Sequence, residues 1–369
     1  MKPITDQIRN EMVRRFRFEG QFIGTAPYGE GHINDTFAVG FRREGRTRRY
    51  ILQRINTNVF RDPASLMENV AGVTEFLRRK IKATGGDPER ETLNLVPAKD
   101  GASFARDADG GCWRAYRFIE GTLTLQQPRN ADDFYESARA LGKFQLLLAD
   151  YPAGTLHETI PRFHDTPNRM RQFRRALQDD ILRRADGARE EIGFALEREA
   201  YAGLLTGLLK QKKLPLRVTH NDTKLNNILL DKATGKGLCL IDLDTVMPGL
   251  SLYDFGDSIR FGASTAAEDE PDLSKVHFDP GLFEAFTKGY LETAGSVLTQ
   301  EEIDLLPDGA KTMTLECGIR FLTDYLSGDV YFKTERERQN LDRCRTQFRL
   351  IAEMEEQWDD MKRIVGRYR

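Results

Sequence analysis

The chain has 369 residues, 40% of them hydrophobic, with 55 Lys and Arg against 57 Asp and Glu. That length suffices for two packed units. The formal net charge of -2 leaves no electrostatic case for nucleic acid or an anionic membrane surface as partner. Cys112, Cys239, Cys317 and Cys344 stand singly, the opening residues carry no apolar leader, and no apolar run is long enough to span a bilayer. Neither zinc nor a disulfide framework is expected, and the expectation is a cytoplasmic monomer.

In chain order, residues 4 to 19 read as a short helix. Two strand-like runs follow, Thr36-Phe37-Ala38-Val39 and Tyr50-Ile51-Leu52, separated by a turn rich in Arg and Gly. Leu66, Val70, Val73, Phe76 and Leu77 recur at helical spacing after Pro63, which predicts an amphipathic helix over 63 to 82. A further strand pair is expected at Leu95-Val96 and Trp113 to Tyr116. After Ile119-Glu120-Gly121 the pattern turns to long helices at about 131 to 150, 167 to 186 and 189 to 212. The chain therefore divides near residue 120, into a β-rich unit over 1–119 and a mostly helical one over 120–369. Paired arginines such as Arg14-Arg15 and Arg42-Arg43 alternate with acids and read as solvated faces. A stripe from Leu341 to Ile364 repeats at three and four and predicts a helix packed on its own unit.

The most informative segment is Thr219-His220-Asn221-Asp222-Thr223-Lys224-Leu225-Asn226-Asn227. A hairpin follows it, and then a strand ending in Ile241-Asp242-Leu243-Asp244. In phosphoryl transfer one carboxylate takes or orients the acceptor hydroxyl proton, while an amide oxygen and a second carboxylate hold magnesium on the phosphates. Asp222 with Asn227 five positions on has the spacing of a kinase catalytic loop. Asp222 is thus the candidate base, and Asn227 and Asp242 are the candidate magnesium ligands. Tyr253-Asp254-Phe255-Gly256 spells another kinase metal motif. It follows a Pro-Gly turn and not an apolar strand, so Asp254 is expected to cap a helix and brace the loop.

Nearer the start, Gly29-Glu30-Gly31-His32-Ile33-Asn34 joins two strands. Gly29 and Gly31 allow backbone amides to approach phosphates. Arg54 closes the third strand and is the candidate cation for those phosphates, with Glu68 on the next helix as its partner.

Taken together, these segments resemble the aminoglycoside phosphotransferase-like branch of the protein kinase fold, and more closely the N-acetylhexosamine 1-kinases. The segments carrying the resemblance are Gly-Glu-Gly-His-Ile-Asn-Asp-Thr at 29 to 36, Tyr-Ile-Leu-Gln-Arg-Ile-Asn at 50 to 56, residues 219 to 227, Ile-Asp-Leu-Asp-Thr-Val at 241 to 246 and Arg-Phe-Leu-Thr-Asp-Tyr-Leu at 320 to 326. The resemblance spans nearly the whole chain. It implies a two-lobe α+β fold with a small β-rich N-lobe and a larger, mostly helical C-lobe. It also implies ATP and Mg2+ as cofactors, an N-acetylglucosamine or N-acetylgalactosamine substrate phosphorylated at the anomeric hydroxyl, and sugar contacts from Arg320, Tyr331, His32 and Asn34. The competing readings are a kinase of another small alcohol, such as choline, homoserine, an aminoglycoside or a different sugar, and a binding module that keeps the fold without the chemistry.

Overall fold

A computed structural model describes residues 4–29 and 33–369. Helix α1, Asp6–Arg15, starts at a Thr5 hydroxyl that accepts from the Ile8 amide. It is shorter than expected because the chain turns extended at Phe16. Strands β1 (Gln21–Pro27), β2 (Asp35–Arg43) and β3 (Arg46–Arg54) lead to α2 (Pro63–Ala83), then β4 (Ala105–Arg106) and β5 (Cys112–Arg117). The β2–β3 loop is the two-residue turn Glu44-Gly45, both at positive φ, the geometry that matches the twist of a hairpin. These strands make one antiparallel sheet in the order β1-β2-β3-β5-β4. Leu95, expected in a strand, makes only an isolated bridge to Tyr116.

Side chains alternate across this sheet, and the register decides which face each one meets. Leu52 lies opposite Phe37 and Ala115, and Arg54 opposite Trp113. Phe37, Val39, Tyr50, Leu52, Trp113 and Ala115 form an apolar core with Met12 and Phe16 of the α1 segment. On the other face Gln53 lies opposite Thr36 and Arg114, and Ile51 opposite Ala38 and Tyr116. Ile51 and Tyr116 pack into a second core that α2 shares with the rest of the molecule.

The C-lobe begins with β6 (Thr122–Leu123) and α3 (Ala131–Leu147), followed by α4 (Thr166–Asp179), α5 (Arg189–Glu197) and α6 (Leu204–Lys210). The expected 189 to 212 helix is broken at Tyr201–Gly203 by a 3-10 turn, in a stretch holding the poor helix formers Gly203 and Gly207. Next come β7 (Arg217–Thr219), β8 (Ile228–Asp231), β9 (Gly237–Leu240) and β10 (Met247–Gly249). They make a three-stranded sheet β6-β8-β9 and a β10-β7 pair. The remainder is helical: α7 (Ser251–Gly262), α8 (Pro280–Ala294), α9 (Gln300–Asp304), α10 (Leu306–Ser327), α11 (Gln339–Glu356) and α12 (Trp358–Tyr368). The Leu341 to Ile364 stripe is thus two helices packed against α8 and α10.

Helix α10 is buried nearly all round, between α4, α7 and α11. Gly256 is what lets α7 lie so close to it. A Cβ there would sit 2.2 Å from the Gly309 carbonyl oxygen, so any side chain would force the two helices apart. This contact packs α7 directly on α10. The four cysteines are buried and unpaired. No described helix is long and apolar enough to cross a membrane.

Candidate active site

The loop after β7 is held from below by α7. Asp254 is fully buried, and its carboxylate accepts from the backbone amides of His220 (2.8 Å) and Asn221 (2.7 Å) and from Gln145 (3.0 Å). It lies in the first turn of α7, and its hydrogen bonds go to the loop, as a brace. One turn on, Asp257 accepts from the Thr223 amide and is itself paired with Arg260. Thr223 and Thr245 hydroxyls donate to the carbonyls of Asp254 and His220, which fixes the loop from both sides. His220 accepts the Asp222 amide at Nδ1 and so carries its proton on Nε2, which meets the Ile241 carbonyl at 2.8 Å.

Clamped in this way, the loop presents Asp222 with a quarter of its side chain exposed. The Asn227 amide nitrogen donates to the Asp222 carbonyl at 2.9 Å and to its carboxylate at 3.2 Å. The five-residue spacing therefore closes a physical contact. Lys224, which sequence reasoning passed over, places its ammonium 3.2 Å from the other Asp222 oxygen. That carboxylate, ahead of Asp257, raises the lysine pKa, and the side chain stays a cation. Its position two residues after Asp222 inside the motif was the available clue.

Asp242 leaves β9 with φ +60°, a left-handed conformation rare outside glycine. Its side chain is enclosed by protein yet open to solvent through the cleft. Enclosure, then the carboxylates of Asp244 and Asp222, push its pKa up to about 7, while Arg114 and His220 pull the other way. Such crowding of carboxylates is the environment a divalent cation relieves, and the donors at hand, carboxylate and amide oxygen, are hard ones.

The N-lobe wall differs from expectation. Arg54 points to the apolar face of the sheet with Tyr50 and Leu52. Its Nε and Nη2 donate to Asp35, at 2.9 and 2.7 Å. Glu68 is mostly exposed and meets His157 at 2.8 Å. The carboxylate beside Arg54 is therefore Asp35, its neighbour across the β2–β3 pair, and not Glu68. The guanidinium on the cleft face is Arg114 of β5, 1% exposed and ion-paired with Asp244. An arginine between Trp113 and Ala115 in a strand was the sequence signal for it. Asn34 donates to Asp244 (2.7 Å) and accepts from the Asn56 amide (3.0 Å), so both ends of its amide are engaged within the protein. Gly29 follows β1 at φ +80°. Gly31 and His32 lie outside the described residues.

On the acceptor side, Arg320 of α10 lies among three rings, 5.6 Å from Phe163, 6.0 Å from Tyr331 and 5.4 Å from Phe332. Tyr331 is 67% exposed at the rim. Arg169 lies close by: burial, and then the Arg320 guanidinium, lower its pKa. Phe163 packs on His164, which joins this patch to the catalytic loop. One His164 nitrogen meets Glu316 at 2.8 Å and the other the Asn221 carbonyl at 3.1 Å. Glu316 also accepts from Thr166, and despite burial its charged partners His164, Arg320 and Arg169 hold its pKa below the usual range. No local pattern could reveal this dyad, since its members are 152 positions apart.

A small antiparallel sheet roofing a helical lobe, with a braced Asp-Asn loop in the cleft between them, defines a kinase-like phosphotransferase. Solved structures share that fold. The microcompartment-associated aminopropanol kinase is 17% identical, with a TM-score of 0.57 and coverage of 96% of this chain and 98% of its own. An aminoglycoside phosphotransferase from Alicyclobacillus acidocaldarius is 14% identical, with a TM-score of 0.57 over 100% and 96%. Choline kinase from Cryptosporidium parvum is 16% identical, with a TM-score of 0.55 over 94% and 92%. The phosphotransferase enzyme family model matches residues 24–291, and the chain belongs to that family.

Proposed function

We propose that the protein transfers the γ-phosphoryl group of ATP to the anomeric hydroxyl of an N-acetylhexosamine, N-acetylglucosamine or N-acetylgalactosamine. Asp222 is the base that takes the acceptor proton. Lys224, held against it, offsets negative charge as the phosphoryl group passes. Asn227 and Asp242 would hold Mg2+, which would supply positive charge to offset that of the phosphates. Among the described residues no three His, Cys, Asp or Glu side chains converge as a metal cage. That suits an ion bound through few protein oxygens and the nucleotide's own phosphates.

The observation carrying the choice of acceptor is Arg320 inside its aromatic cluster with Arg169 beside it. A site for a cationic amine needs rings and carboxylates around the ammonium. Here two guanidiniums occupy that place, which repels an amino alcohol and favours a ring rich in hydroxyl and amide acceptors. Aromatic faces with one strong donor set can fix the far side of a sugar, and so decide which hydroxyl reaches Asp222. The resemblance of the 29 to 36 and 320 to 326 segments to N-acetylhexosamine 1-kinases adds the particular sugar.

Acceptor-dependent ADP release should be seen with either N-acetylhexosamine and not with choline, and phosphorus NMR should show coupling to an anomeric proton. Arg320→Ala should cost roughly 1.5 to 3 kcal/mol in kcat/KM for the sugar, the scale of a hydrogen bond to a charged group, with the KM for ATP little changed. A 6-phosphate product, or efficient turnover of choline alone, would reject the reading.

A further inference from the structure

Two residues past Asp242, Asp244 is almost completely buried, and every side-chain partner it has among the described residues belongs to the N-lobe. One oxygen is ion-paired with Arg114 and the other accepts from Asn34 at 2.7 Å. Arg114 in turn donates through Nε to Gln53 at 3.0 Å, and Gln53 donates to the Thr36 hydroxyl at 3.0 Å. Thr36 and Asn34 sit on the same short stretch at the end of the glycine turn. The contacts therefore close a ring: Asn34, Asp244, Arg114, Gln53, Thr36. It crosses strands β2, β3 and β5 and returns through the segment that carries Asp242. Asn56 adds a tie, with its amide on Asn34 and its side chain on the Ile33 carbonyl at 3.1 Å.

A buried ion pair is a weak source of net stability, because desolvation offsets most of the attraction and apolar residues of similar volume do as well. What such a pair supplies is geometry: it is satisfied in one arrangement only.

We propose that Asp244 is a positioning residue for the donor nucleotide: the ring it closes fixes the distance between residues 34 to 36 and Asp242, and with it the place of the triphosphate. The proposal rests on the kinase reading of this cleft. It differs from that reading in assigning Asp244 no contact with metal or substrate. Arg114, enclosed by Gln53, Tyr116 and Asp244, acts through that carboxylate.

The test uses the full chain with three variants, Asp244→Asn, Asn34→Ala and the double replacement Arg114→Met/Asp244→Leu. Cutting the ring should raise the KM for MgATP, and weaken MgADP binding in the absence of acceptor, by about tenfold or more, as expected when reacting groups are displaced. The acceptor KM should stay within about twofold, since the sugar side of the cleft lies on α4 and α10. The double variant should recover the melting temperature to within about 2 °C, as the buried charges are removed together, without recovering nucleotide affinity. Recovery of both would make the pair a packing element and overturn the proposal, as would an equal rise in the acceptor KM. Should the double variant not fold, Asn34→Ala carries the same prediction without leaving a buried charge. Hydrogen exchange at residues 33 to 36 reads the ring without any nucleotide: faster exchange in Asp244→Asn supports it, and unchanged exchange overturns it. A wild-type chain that binds no MgADP would instead sink the kinase reading, which is a separate outcome.

Discussion

Between Thr219 and Asn227 the candidate base and its amide neighbour come from one stretch of chain, and the elements that hold them follow within forty residues. Asp222 and Asn227 touch because a 3-10 turn brings residues five apart together, and Asp254 reaches back to the loop from the next helix. The cleft face of the N-lobe sheet is built the other way. Arg114 meets Gln53 across 61 positions, and Asn34 meets Asp244 across 210. The first region is specified locally and the second by strand register, where a shift of one residue turns every side chain to the opposite face. Spacing along the chain therefore foretold the Asp222–Asn227 contact in the C-lobe, whereas in the N-lobe it did not foretell that Arg54 pairs with Asp35 and Glu68 with His157.

The largest expected effect tests the local region. Asp222→Asn keeps the contact with Asn227 while removing the base, so kcat should fall roughly a hundredfold or more, with nucleotide binding nearly intact. Near-native turnover in a folded variant would break the assignment.

Next come the two aspartates that could each be the metal ligand. Asp254 is spent on three donors, and Asp254→Asn places an amide against backbone N–H groups, so stability should drop by about 3 kcal/mol, read as a lower melting temperature. Asp242→Asn removes a carboxylate that no described hydrogen bond uses. It should abolish magnesium-dependent turnover and leave melting nearly unchanged. The reverse pattern would exchange their roles.

How much was legible follows from the same contrast. The β-rich and helical units, the helix at Pro63–Ala83 and the contact between Asp222 and Asn227 rest on short-range periodicity and spacing, and they could be read directly. The bracing role of Asp254 was legible because a Pro-Gly turn precedes it. The partner of Arg54 was not legible, because a strand's sequence shows that residues alternate without showing which cross-strand neighbour each one meets. The His164–Glu316 dyad and the Asp244 ring were out of reach, since helix packing at Gly256 and sheet register create them.

A smaller effect concerns acidity in the cleft. Asp242 is pushed up to about 7, so below that pH its carboxyl holds a proton, which must leave before a cation binds. The apparent affinity for Mg2+ should weaken as pH falls through 7, by at most about tenfold per unit for one proton, and level off above it. Because solvent reaches the residue, the midpoint should lie somewhat below 7, with the same limiting slope. An affinity that stays flat between pH 6 and 8, about the range in which this group would titrate, would mean that the neighbouring carboxylates do not act on Asp242 as the geometry requires.

The smallest effect sharpens the comparison most directly, because it asks what Arg54 and Glu68 do. Were they the phosphate-binding cation and its helix partner, Arg54→Gln and Glu68→Gln would each raise the KM for ATP steeply. The structure ties Arg54 to Asp35, a half-exposed carboxylate at the start of β2, on the face packed against α1. Losing that pair should cost about 1 kcal/mol of stability. Glu68 meets His157 at the surface, where such a contact is worth between about 0 and 1 kcal/mol. Both variants should therefore keep the wild-type KM for ATP, with Arg54→Gln slightly less stable and Glu68→Gln indistinguishable by melting. Paired against Asp244→Asn, this result would locate the N-lobe's contribution on the cleft face that carries Gln53 and Arg114. A tenfold loss of ATP affinity in Arg54→Gln alone, about 1.4 kcal/mol, would return that role to the third strand's last residue and require the strand to present its other face when nucleotide binds.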